Sequence, residues 1–122
     1  MKTRINVALL LRVADQIMKT PEQFNMRDWD CGTTACIAGW ASRLGGGKTY
    51  MPLNAKFHPA RDLLGLDILQ NAELFSEENW PDKFIPVKGD APAQRASKAV
   101  RRIHAFLDDY APGWRYAKEF AK

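Results

Sequence analysis

Residues 30–44 read D-C-G-T-T-A-C-I-A-G-W-A-S-R-L, and this stretch predicts a short helix with no polar face. Bulky side chains fall on one face and small ones on another: Cys36, Ile37, Trp40, Ala41 and Leu44, then Ala35, Ala38, Gly39 and Ser42. A helix that is apolar all round belongs inside a domain. Because Gly costs about 1 kcal/mol against Ala in a helix interior, Gly39 indicates close packing. We expect a buried central helix at 34–44, in which Cys36, Gly39 and Trp40 are structural.

The rest of the chain predicts further helices that surround this one. A first helix ends near Lys19, and its expected buried stripe is Val7, Leu10, Leu11, Ala14, Ile17 and Met18. In the last long helix, about 91–110, the expected stripe is Ala96, Ala99, Val100, Ile103, Leu107 and Tyr110. Thr3, Asp67 and Asp90 are the expected helix caps, and Asp67 with Gln70 resembles a capping box. Gly65 is expected to end the helix that precedes this box. The sequence therefore predicts an all-α, compact single-domain bundle of five to six helices over residues 1–122, with a loosely packed tail at 111–122.

Charges are segregated along the chain. Residues 1–61 carry nine basic and four acidic side chains, and residues 91–122 carry seven basic and three acidic ones. Between them lies an acidic stretch, residues 62–90, with two basic and seven acidic side chains. Such segregation either steers a charged partner or pairs the segments with one another. We expect the basic segments to pair with the acidic stretch.

The composition excludes several classes of protein. The apolar run at 7–11 is too short for a signal peptide or a membrane span. Two cysteines do not make a disulfide framework. We therefore expect a cytoplasmic protein that has no contact with a membrane.

Cys31 and Cys36 are the candidates for chemistry. Cys36 would lie in the first turn of its helix, where the dipole favours a reactive thiolate, and His58 could act as its base. A cysteine-dependent enzyme centred on Cys36 or Cys31 is therefore one alternative. Cysteine on a buried helix is more often a small core residue, so we assign no catalytic residue.

No cofactor site is predicted. The spacing of Cys31, Cys36, His58 and His104 matches no zinc finger. The run G-G-G-K-T at 45–49 suggests a phosphate loop, but it follows a helix rather than a strand and lacks the earlier glycine of that motif. We therefore expect no bound metal and no other cofactor.

The last helix offers a basic face. Its candidates for interaction, with the aromatic residues that follow, are Arg95, Lys98, Arg101, Arg102, Trp114 and Tyr116. Such a face could contact nucleic-acid phosphates, which makes a nucleic-acid-binding protein the second alternative. Lys and Arg usually supply the solvated face of a helix, and we expect that role here.

The run C-G-T-T-A-C-I-A-G-W-A resembles a set of small bacterial and phage proteins of similar length. L-L-G-L at 63–66, L-F at 74–75 and W-P at 80–81 add to the likeness, which extends from the first helix to Leu107. No activity is established for that set. The resemblance implies a shared fold and an origin near mobile elements, and it supplies no catalytic residues.

The sequence as a whole favours a helical, non-enzymatic protein-binding or regulatory module. The resemblance to small phage proteins suggests a phage or prophage gene whose product acts on a host or phage protein. The expected partner is another protein, and nucleic acid is the less favoured one.

Overall fold

The computed structural model describes residues 5–25, 36–45 and 58–115, and all its regular structure is helical. Within these ranges, five α-helices follow one another: α1 (Val7–Lys19), α2 (Ile37–Leu44), α3 (His58–Leu64), α4 (Ile68–Phe75) and α5 (Pro92–Tyr110). The same ranges contain three 3-10 turns, at Pro21–Gln23, Glu77–Asn79 and Asp82–Phe84. The described ranges contain no β-strand. The predicted all-α single domain is confirmed.

Helix α2 lies in the core, as the sequence predicts, and it packs against α1 and α3. Ile37, Ala38 and Ala41 are completely buried. The helix begins later than expected, because Cys36 is its N-cap rather than a residue of its first turn. The Cys36 sulfur accepts a hydrogen bond from the Gly39 N–H at 3.4 Å. A sulfur in this position replaces the oxygen that usually caps a helix.

Helix α1 buries a face that differs in part from the predicted stripe. Its buried residues are Val7, Leu9, Leu10, Val13, Ala14 and Ile17. Met18 was expected in this stripe, but half of its surface is exposed. Asn6 caps the helix by accepting a hydrogen bond from the Leu9 N–H at 3.1 Å, whereas Thr3 lies outside the described residues.

Helix α5 packs along α1 and also contacts α4. Its buried residues are Ala96, Ala99, Arg102, Ile103, Phe106 and Leu107. The expected stripe omitted Phe106 and included Val100 and Tyr110, which are only partly buried. Asp90 was also expected to cap this helix, and that prediction is wrong. Ala91 is the N-cap, and its N–H donates to the Gln94 side chain at 2.7 Å.

A sharp corner joins α3 to α4. Gly65 ends α3 with φ at 72°, in the left-handed region that favours glycine. Asp67 then caps α4: its carboxylate accepts from the Gln70 N–H at 2.8 Å, and the Gln70 side chain accepts from the Asp67 N–H at 2.9 Å. The predicted capping box is therefore confirmed. At the other end of α4, the Trp80 indole donates to the Leu74 carbonyl at 3.0 Å.

Candidate interaction surface

Two large apolar residues are exposed at the corner between α3 and α4. Ile68 and Leu69 are the first two residues of α4, with 75% and 74% of their surfaces exposed. At the other end of this helix, Leu74 and Phe75 are buried. Helix α4 therefore contacts the core through its last turn, while its first turn is exposed. We call Ile68 and Leu69 the apolar pair.

A shallow cleft of about 500 Å³ adjoins the apolar pair. Its lining combines the end of α3 with the beginning of α4: Arg61, Asp62, Leu66, Asp67, Ile68 and Leu69. Leu66 is buried, so the cleft has an apolar base beside the exposed pair. The volume lies within the range of about 300–1,000 Å³ that is typical of ligand clefts.

The rim of this cleft carries more acidic than basic groups. The Asp62 side chain is 76% exposed, and Asp67 is also exposed. The one basic group in the lining is Arg61, whose side chain is 28% exposed and whose Nε lies 3.7 Å from the Asp62 carboxylate. The cleft therefore presents an apolar surface bordered by carboxylates.

The apolar pair was not predicted from the sequence, although a signal for it is present. Leu69 and Leu74 are five residues apart, which places their side chains about 140° apart around a helix. A helix that packs through one face only cannot turn both toward the core. What the sequence does not reveal is which of the two leucines is buried.

A second cleft of about 500 Å³ lies between the end of the first 3-10 turn and the loop before α5. Its lining includes Phe24, Val87, Lys88, Asp90 and Arg95. Lys98 pairs with the Asp90 carboxylate at 2.6 Å, and the Val87 N–H donates to the same oxygen at 3.0 Å. These two bonds, the one from Lys98 foremost, lower the pKa of Asp90 below its usual value.

The basic residues of α5 do not form one solvated surface. Lys98 pairs with Asp90, as expected for contacts between a basic flank and the acidic stretch. Arg95 donates to the Asp90 carbonyl at 3.2 Å, and the exposed Arg101 donates to the Ser97 hydroxyl at 3.2 Å. Arg102 is only 6% exposed. The expectation of a solvated face therefore fails at Arg102.

Arg102 lies where α5 meets α4. Its Nη2 donates to the Glu73 carbonyl at 3.4 Å, and its guanidinium carbon is 6.0 Å from the centre of the Phe106 ring. Burial lowers the pKa of Arg102, while the negative charges of Glu73 and Asp109 oppose that effect. Tyr110 donates a hydrogen bond to the Glu73 carboxylate beside it.

Trp114 is packed against α5 rather than exposed. It is 8% exposed, its indole donates to Asp108 at 2.8 Å, and its ring centre lies 5.0 Å from that of His104. Burial is the main reason why the pKa of His104 is lowered. Trp114 therefore attaches the described part of the tail, residues 111–115, to α5. Tyr116 lies outside the described residues.

Cys36 is the one candidate catalytic residue whose side chain the structure describes. It is 3% exposed and lines neither cleft. The backbone of His58 begins α3, whereas Cys31 lies outside the described residues, as do residues 46–49 of the glycine-rich run. Among the side chains described in residues 5–25, 36–45 and 61–115, no three of His, Cys, Asp or Glu are grouped as a metal site would require.

Comparison with known proteins adds no functional assignment. No protein family, no curated protein and no solved structure matches this chain. Of the helices that the structure describes, none has the length and apolar character needed to cross a membrane.

Proposed function

We propose that this protein is a non-enzymatic binding module that docks another protein at the corner between α3 and α4. The observation that carries the proposal is the exposure of the apolar pair, about three quarters of each side chain. Adjacent exposed apolar residues at the edge of a cleft are typical of protein-binding surfaces. A few such residues usually supply most of the binding energy.

The alternative functions have less support. A cysteine-dependent enzyme centred on Cys36 would need a thiol that substrate can reach, and Cys36 is buried at the beginning of α2. A nucleic-acid-binding face on α5 would need several cations directed at phosphates. Lys98 is paired with Asp90, and Arg102 is buried.

The biological setting belongs to the same proposal. The resemblance of residues 31–41 to small bacterial and phage proteins supports an origin in a phage or prophage. We propose that the protein acts in the cytoplasm of the bacterial host, where it does not bind a membrane. We propose further that it modulates a host or phage protein. Small phage proteins often act by binding host proteins, which supports a host protein as the partner.

A capture experiment with matched variants tests the proposal. The tagged wild-type protein, the double variant Ile68→Ser/Leu69→Ser and the control Met18→Ser would each be incubated with lysate of the host bacterium. Met18 is a suitable control because it is 51% exposed on a different helix, α1. We expect a partner that the wild type and the control retain and the double variant releases.

The captured partner would then be purified and titrated against the three proteins by calorimetry. We expect the double variant to bind at least about thirty-fold more weakly, as is typical when central apolar contacts are removed. Circular dichroism and thermal melting would verify that the double variant is folded. A partner that binds the double variant as tightly as the wild type contradicts docking at this corner, and so does a lysate that yields no such partner.

A further inference from the structure

We infer that the segment bound at the corner between α3 and α4 is a basic amphipathic helix of the partner protein. This inference rests on the proposed function, because it names the chemistry of the partner at the same surface. It depends on three properties of the corner: its apolar pair, its carboxylate rim and its lack of a strand edge.

The apolar pair and the cleft determine one face of the partner. Ile68 and Leu69 project from the first turn of α4, and Leu66 lies at the base of the adjoining cleft. A helix that places apolar residues at i, i+3, i+4 and i+7 presents them as a stripe suited to such a groove. An extended peptide commonly binds by adding a strand to a sheet edge. The described residues offer no sheet for that mode.

The rim determines the charge of the partner. Asp62 and Asp67 are exposed on either side of the turn at Gly65. Arg61 offsets part of the Asp62 charge, because its Nε lies 3.7 Å from that carboxylate. With Asp67, the three charged residues of the lining leave a net charge of −1. Lys and Arg beside the apolar stripe of the partner would match this rim, chiefly speeding association and fixing orientation.

Synthetic peptides provide the probe for this inference. The first peptide carries Leu at i, i+3, i+4 and i+7 and Lys at most other positions. The second replaces each Lys with Glu, and the third has the composition of the first but scatters its Leu residues so that no stripe forms. Each carries a fluorophore, and the anisotropy of the fluorophore measures binding to the wild-type protein and to four variants.

The variants separate the apolar contribution from the charged one. Leu69→Ser removes an apolar contact, and we expect it to weaken binding of the first peptide at least about ten-fold. Asp62→Asn removes an exposed charge, so we expect a loss of about two- to five-fold and a weaker dependence on salt. Asp82→Asn removes an exposed carboxylate from the last 3-10 turn, outside the cleft, and should leave binding unchanged. Met18→Ser should do the same.

Three results would overturn the inference. One is binding of the Glu peptide as tight as that of the Lys peptide. Another is equal binding of the peptide with scattered Leu, which would indicate attraction by charge alone. The third is no binding of any peptide at concentrations up to about 1 mM, the limit of weak affinity. None of these contradicts the proposed function, which fails if the lysate yields no partner or if the captured partner binds the Ile68→Ser/Leu69→Ser variant as tightly as the wild type.

Discussion

Apolar side chains are usually buried and charged ones exposed, but the first turn of α4 and the middle of α5 both show the reverse. Ile68 and Leu69 are apolar and exposed, whereas Arg102 is charged and buried. The difference follows from what surrounds each of these turns. Helix α4 has eight residues and meets the core through its last turn, while α5 has nineteen and contacts both α1 and α4. The position of an element in the fold thus decides burial even where the type of residue opposes it.

The strongest test of this comparison uses two leucines of the same helix. Leu74→Ala should lower the free energy of unfolding by about 2–5 kcal/mol, because Leu74 is completely buried. Leu69→Ala should change it by no more than about 0.5 kcal/mol. Urea denaturation of both variants measures the two effects. Similar losses of stability in the two variants would mean that Leu69 is not exposed as described.

The second test compares two adjacent arginines. Arg102→Ala should destabilise the protein by about 1.5–3 kcal/mol, because it removes a buried cation that donates a hydrogen bond to the Glu73 carbonyl. Arg101→Ala should have an effect within about 0.5 kcal/mol, since Arg101 is exposed. Urea denaturation again gives the difference. Equal effects would remove the contrast between the middle of α5 and the first turn of α4.

A smaller effect is expected at Tyr110, which joins α5 to α4 beside Arg102. Its hydrogen bond to Glu73 is the main cause that raises the pKa of Tyr110 to about 12, from an ordinary value of 10.0. The folded state therefore holds the hydroxyl proton more tightly than the unfolded chain does. The stability that this hydrogen bond contributes is complete below pH 10.0 and is lost as the pH rises toward 12. Tyr110→Phe should cost about 0.5–1.5 kcal/mol at neutral pH.

The difference between the wild type and Tyr110→Phe should then shrink in denaturation experiments above pH 10.0. A difference that stays constant across that range would show that the hydroxyl does not bind Glu73 in solution.

The smallest effect should come from Asp90, at the beginning of α5. Lys98 and the Val87 N–H both bind its carboxylate, and they lower the pKa of Asp90 below 3.8. The Asp90 carboxylate therefore stabilises the fold at any pH above the pKa that it has in the unfolded chain. This stabilisation is lost as the pH falls through the lower pKa that it has in the folded protein. Asp90→Asn should therefore lower the melting temperature at neutral pH and make little difference in strong acid. Asp82→Asn, which changes an exposed carboxylate, serves as the control, and an equal response of both variants would contradict the role of the Lys98 pair.

Local signals in the sequence predicted the structure where neighbours along the chain decide it. The capping box of Asp67 and Gln70 is one example, and the end of α3 at Gly65 is another. Helix α2 was predicted as buried because it has no polar face, and that property does not depend on which helices surround it. Residues that are close together along the chain determine each of these features.

The surface could not be predicted in the same way. Arg102 lies on the face of α5 that meets α4, and its burial depends on contacts with residues about thirty positions earlier, such as Glu73. The sequence indicates that Trp114 is an exposed residue of the tail. In the structure it instead packs against His104 and donates a hydrogen bond to Asp108. Asp90 was predicted as a cap because Asp is a preferred residue at the N-cap of a helix. In the structure its carboxylate instead accepts a hydrogen bond from Lys98.

The packing of α1 along α5 sets an order for folding during synthesis. Helix α1 leaves the ribosome before α5, yet Leu10 and Ile17 lie on its buried face, and α5 contributes Ile103 and Leu107 to the same core. Contacts between segments so distant in sequence form late, because a long loop must close first. Helices α2 and α3 can contact α1 earlier, but the part of its apolar face that packs against α5 stays uncovered in the nascent chain until α5 has emerged.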